Sequence, residues 1–162
     1  SGIFDVSNNV KRMATTLARQ LAYYVTIFSG MQMAANRPRF YKDIHPDAFK
    51  FIKDVPVSWD KTLPLFGSIG QFYVVARKDR NSEDWYVGGV TNEEGRRIRI
   101  SLDFLDDGCR YLAEIYRDGD DAHYRENQLS IIIDSREVTK LDNLDLYMAP
   151  GGGFAVRIHQ LQ

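Results

Sequence analysis

The chain has 162 residues, 44% of them hydrophobic and 12% aromatic, with 21 basic residues against 22 acidic and a net charge of −1. That apolar content is enough to bury a core and excludes a disordered chain, while the balanced charge leaves no basic excess to neutralise phosphates and excludes nucleic acid as a partner. The lone Cys109 forms no intrachain disulfide or cysteine metal cluster, and no apolar run approaches the roughly 20 residues of a membrane span.

Residues 7–55 read as helical. Val10, Met13, Ala14, Leu17, Leu21, Tyr24, Val25 and Phe28 recur at three-and-four spacing, with Arg12, Thr15, Thr16, Arg19 and Tyr23 on the other face. Ser7, Asn8 or Asn9 supplies a cap, its side-chain oxygen accepting from an early backbone N–H. Gly30 marks the end, and Pro38 stops a continuation over 31–36. A second, shorter helix starts at Pro46, where a missing N–H costs nothing, and Asp47 complements its positive end. Pro56 closes the region. The first helix grows more apolar along its length, through Leu21, Tyr23, Tyr24, Val25, Ile27, Phe28, Met31 and Met33. A helix beside a sheet buries one stripe, so this one predicts a further partner: a larger body or a second copy of the chain.

From about Trp59 the period changes to two. Ile98, Ile100, Leu102 and Phe104 alternate with Arg97, Arg99, Ser101 and Asp103, one face dry and one wet. Leu129, Ile131 and Ile133 repeat the pattern, as do Phe154, Val156 and Ile158. Residues 71–77 and 85–90 are apolar on both faces and read as central strands. Residues 92–95 and 106–108 are turn clusters in which glycine supplies a positive φ. Seven or eight short strands without intervening helices predict a mainly β fold, an antiparallel sandwich over 56–162 preceded by a helical segment over 1–55.

Candidate chemistry is sparse. His45, His123 and His159 share no metal-ligand spacing, and no Gly-x-Ser-x-Gly elbow is present. His45 reads as a surface or capping residue, His159 as exposed. The stretch 118–123, with Asp118, Asp120 and Asp121, resembles a calcium loop, but Ala122 holds its fifth position and Leu129 its twelfth, where a bidentate Glu is needed. Gly151, Gly152 and Gly153 precede a strand rather than a helix, so they predict a tight bend and no phosphate cradle. No Asp or Glu stands in an apolar context that would raise its pKa for general-acid work. No catalytic, cofactor-binding or metal-binding residue is therefore predicted. Trp85 and Tyr86 are candidates for stacking on sugar rings, with core packing the competing reading of Trp85. Trp59 reads as a junction residue.

The chain resembles the C-terminal portion of glycoside hydrolase family 97. The residues that carry the resemblance are Gly-Ile-Phe-Asp at 2–5, TTLARQLAYYV at 15–25 with QMAANRP at 32–38, FKFIKDVPVSWDKT at 49–62, DWYVGGVTNE at 84–93, YRDGDDAHYREN at 116–127 and APGGGFAVRI at 149–158. The resemblance implies that 1–55 is the last helix and exit of a (β/α)8 catalytic barrel. It also implies a parent of α-glucosidase or α-galactosidase type, with catalytic carboxylates and calcium upstream, in a periplasmic or secreted setting. The expected partners are that barrel and, through the apolar helix, a second copy. No signal peptide stands at the start of the chain. The implied role is a non-catalytic domain that buttresses the barrel and supports oligomerisation, with a carbohydrate-binding module as the alternative. Sugar specificity and stereochemical outcome depend on carboxylates outside these residues.

Overall fold

The computed structural model describes residues 15–27 and 46–162. In chain order the elements are α1 (Leu17–Thr26), α2 (Pro46–Asp54), β1 (Trp59–Ser68), β2 (Phe72–Asp79), β3 (Trp85–Thr91), β4 (Arg96–Ser101), β5 (Tyr111–Asp118), β6 (Ile131–Val138), β7 (Asn143–Met148) and β8 (Gly153–Gln160). The fold is mainly β, an antiparallel sandwich preceded by helices, as the pattern of the sequence predicts.

The helix predicted from residue 7 is corrected at its start. Thr16 is extended, φ −79° and ψ 162°, and its hydroxyl accepts the Arg19 N–H at 3.2 Å, so it caps α1. Apolar spacing runs on through such a cap because periodicity carries no record of it. At the other end Ile27 is extended, which stops α1 short of Gly30. The proposed caps Ser7, Asn8 and Asn9, together with Val10, Met13, Phe28, Gly30, Met31, Met33, Pro38 and His45, lie outside the described residues. α2 begins at Pro46 as expected, with Asp47 in its first turn and Lys53 in its last.

Six strands form one sheet in the order β1-β2-β3-β8-β5-β6, and β4 and β7 form a second. Every pairing is antiparallel. β1 is an edge strand, which is where Pro64 can sit without removing a ladder bond, and its register slips at Trp59/Lys61 and at Pro64/Phe66. β4 ends at Ser101, short of the predicted 104. Beyond it Leu102 is buried and Phe104 packs on Trp85 with ring centroids 4.8 Å apart.

Both faces of the large sheet are covered. Val74, Ala76, Trp85, Val87, Val156 and Ile158 point into the space between the sheets, against Ile100, Leu102, Leu144, Leu146 and Met148. Val75, Tyr86, Tyr116 and Ala155 point the other way, under Leu17, Leu21, Val25 and Phe51 of the helices. Central strands covered twice need no wet face, which explains the apolar runs of β2 and β3. Gly88 permits the close approach of α1: a Cβ there would stand 2.9 Å from Val25 Cβ and 3.1 Å from the Ala22 carbonyl.

The one stripe of α1 expected to bury on the sandwich does so, whereas Ile27 is exposed and Phe28, Met31 and Met33 lie outside the described residues. Leu17, Leu21, Tyr24 and Val25 are buried, and the sheet's own second face is their cover. The turn chemistry also differs in one place. Positive φ occurs at Gly70, Gly108 and Gly151, whereas Gly95 has an ordinary φ and stands where a Cβ would crowd Pro150.

Candidate functional site: the helix-covered face of the sheet

Polar groups gather at two seams where the helices meet the sheet. The first is built on Arg157. β8 alternates, so Val156 and Ile158 enter the inter-sheet core and Arg157 points to the helix side. Its register partners are Tyr86 on β3 and Glu114 on β5. Arg157 Nε donates to the Tyr86 hydroxyl at 3.2 Å, and its Nη2 lies 3.2 Å from Asp84 Oδ2. Its Nη1 stands 3.6 Å from Glu114 and 3.8 Å from Asp54. Tyr86 donates in turn to the Asp54 carbonyl at 3.0 Å, and Lys50 bridges Asp54 at 2.8 Å and Glu114 at 3.2 Å. Burial of the Tyr86 phenol raises its pKa, so it stays a neutral donor. Asp84 is buried and also lies 2.9 Å from His159 Nδ1. His159, expected to be exposed, is thus half-covered and partnered. Together these bonds fasten the end of α2 to β3, β5 and β8.

The second seam is built on Asp118, at the end of β5 and fully buried. Its Oδ2 accepts the backbone N–H groups of Ala149 and Gly153, each at 2.8 Å. Burial pushes its pKa up to about 6, against the opposing pull of the Thr16 hydroxyl, the two backbone amides and the Arg19 guanidinium. The expectation that no carboxylate here stands in a pKa-raising environment is therefore corrected. The amides that surround Asp118 come from some 30 residues downstream, so no local pattern announces them. The glycine run is the tight bend predicted for it. Gly151 has φ +65°, and a Cβ on Gly152 would overlap the Asp118 carboxylate. The Leu17 N–H donates to the Gln128 carbonyl at 2.7 Å and ties the start of α1 to the same corner.

Neither seam has the form of a hydrolytic centre. Glycoside hydrolysis sets two carboxyl groups across an open cleft with room for a sugar. Asp54, Asp84 and Glu114 all sit on Arg157, and Asp118 is sealed against backbone. The residues of the acidic loop do not suit calcium either. Asp120 lies 3.3 Å from Arg117 Nη1, Asp121 accepts from Ser130 and from Asn127 at 2.9 Å, and His123 Nδ1 accepts the Arg125 N–H at 3.1 Å. Each donor is already committed, and among the described residues no group of three or more His, Cys, Asp or Glu converges as a metal site.

The two predicted sugar-stacking residues are corrected as well. Trp85 is 4% exposed and Tyr86 1%, so neither ring offers a face to a ligand. Adjacent residues of a central strand point to opposite faces, and here both faces are covered: Trp85 enters the inter-sheet core, and Tyr86 meets Phe51 and Trp59 edge-on. Trp59 lies at the helix–sheet junction, as read from the sequence. The Arg157–Asp84 pair joins residues 73 apart in the chain and has no local spacing to mark it. A lone arginine between the apolar neighbours Val156 and Ile158 is the signal that could have pointed to a buried ion pair.

The fold and its two seams define a helix-covered antiparallel β-sandwich whose polar clusters fasten its own elements. Residues 58–159 match the family model described as glycosyl-hydrolase 97 C-terminal, oligomerisation, and the chain belongs to that family. It is 36% identical over 143 residues to a retaining alpha-galactosidase of Bacteroides thetaiotaomicron, covering 88% of this chain and 21% of that protein. A probable retaining alpha-galactosidase of Streptomyces bingchenggensis is 31% identical over 142 residues, 88% of this chain and 20% of that one. Among solved structures, a family 97 enzyme of Pseudoalteromonas sp. in complex with panose superposes with TM-score 0.91 and 46% identity, covering 99% of this chain and 26% of that one. The chain thus spans about a fifth of the length of the curated relatives it matches.

Proposed function

We propose that this chain works as the non-catalytic C-terminal part of a longer family 97 glycosidase acting on α-galactosides or α-glucosides, where it braces the catalytic (β/α)8 barrel and supports assembly of subunits. The observation that carries the reading is the burial of α1. Leu17, Leu21 and Val25 lie against β3, β5 and β8, and the Thr16–Asp118 corner locks the start of the helix. If α1 is the last helix of the barrel, the large sheet is the platform on which the barrel ends. Calcium and the catalytic carboxylates then belong to the upstream part of the enzyme, in a periplasmic or secreted setting.

The test is made in the full-length enzyme. Gly88→Val forces a side chain into Val25 and the Ala22 carbonyl. The expected result is faster heat inactivation of hydrolysis, with KM unchanged at a permissive temperature. Unaltered heat inactivation would contradict a bracing role.

A further inference from the structure

The six-stranded sheet ends in two free edges, β1 and β6, and they differ in kind. β1 is blunted by Pro64 and by two register shifts, devices that keep an edge from pairing. β6 pairs with β5 over its whole length, Ile131–Val138, without a register shift and without a proline. Asp134, Ser135, Arg136 and Glu137 are exposed. The Ser135 N–H donates at 2.8 Å to the side chain of its neighbour Asp134 and not to β5, so pairing at this edge exchanges a local bond for one to a second strand. An edge of this length with neither a proline nor a register shift can template another strand, provided that the strand's charges complement Asp134, Arg136 and Glu137.

The order of charges says which strand fits. Antiparallel pairing of two β6 strands about a two-fold axis at Ser135 sets Asp134 opposite Arg136 of the second copy, and Arg136 opposite its Asp134. An isologous contact needs this self-complementarity, and opposite charges directly across a strand pair are favourable. The family model described as oligomerisation covers 58–159, which holds β6 and leaves out α1 and α2. We propose that two copies of this chain associate edge to edge through β6, with Asp134 and Arg136 fixing the register. The proposal rests on the reading of the domain as one that self-associates, and it moves the contact from the helix to the sheet.

Sedimentation velocity of the 162-residue chain at low salt tests it, with Asp134→Arg, Arg136→Asp and the double swap compared. Each single reversal places like charges opposite one another twice per dimer and is expected to raise the dimer Kd by about tenfold or more. The double swap restores the pattern and is expected to restore the Kd. Far-UV circular dichroism checks that each variant keeps its fold, including Arg136→Asp, which also loses a bond to the Asn143 carbonyl. Single reversals that leave the Kd unchanged, or a folded double swap that fails to recover, overturn the β6 contact. If Ile69→Ser, at the exposed tip of the β1–β2 hairpin, abolishes association while the reversals do nothing, the contact lies there and self-association survives. A wild-type chain that stays monomeric at every concentration overturns both.

Discussion

The Asp118 carboxylate accepts the Gly153 N–H at 2.8 Å, so the acidic loop and the glycine run of this sequence are one structural unit. The Ala149 N–H completes the grip, and Thr16 brings the start of α1 to the same carboxylate. A single buried acid thus joins β5, the bend into β8 and the helical segment.

The raised pKa of Asp118 gives this clamp a pH signature. Its folded value is about 6 against an ordinary 3.8, so between those limits the folded state holds more protons than the unfolded one, and stability falls as pH rises. The span corresponds to about 3 kcal/mol at most. Asp118→Asn removes the titration and can still accept an amide. Urea unfolding at pH 4 and pH 7 should show the wild type gaining up to that amount over Asp118→Asn on acidification. Parallel pH profiles would mean that Asp118 is ionised with no penalty.

Much of the architecture was legible because it is written in local period. The alternation of Ile98 and Ile100 gave β4, Pro46 gave the start of α2, and the three glycines gave the bend before β8. The doubly apolar runs of β2 and β3 marked them as central. What stayed hidden depends on partners distant in sequence. Thr16 caps the start of α1 inside an apolar period that the sequence continues on both sides of it. Asp118 stands among the solvated acids Asp120 and Asp121 in the chain, yet it is buried because strand β8 returns beside it. Trp85 and Tyr86 read as a sugar platform in the sequence because their covers, the β4–β7 sheet and the helices, are distant in the chain.

Phe51 should be the main hydrophobic anchor of α2. It is 1% exposed and meets Tyr86 and Tyr116 edge-on, with centroids 6.0 and 5.2 Å away. Phe51→Ala is expected to cost about 3–5 kcal/mol. Chemical denaturation measures that loss, and near-ultraviolet circular dichroism should report the freed tyrosines. A cost below about 1 kcal/mol would mean that α2 is not packed on the sheet as described.

The burial of Trp85 makes a spectroscopic prediction. Tryptophan emission should not change in a saturable way when maltooligosaccharides are titrated in, and Trp85→Ala should lower stability by about 3–5 kcal/mol, since it empties a core site beside Phe104. A saturable shift that disappears in a stably folded Trp85→Ala would restore the sugar-binding reading.

The proposed function places the chemistry of a longer family 97 glycosidase outside these 162 residues. Its most direct test is an assay of the purified 162-residue protein on p-nitrophenyl α-galactoside and p-nitrophenyl α-glucoside, with and without added calcium. The expected result is product release at the rate of the buffer alone. Turnover that scales with protein concentration and requires calcium would contradict it.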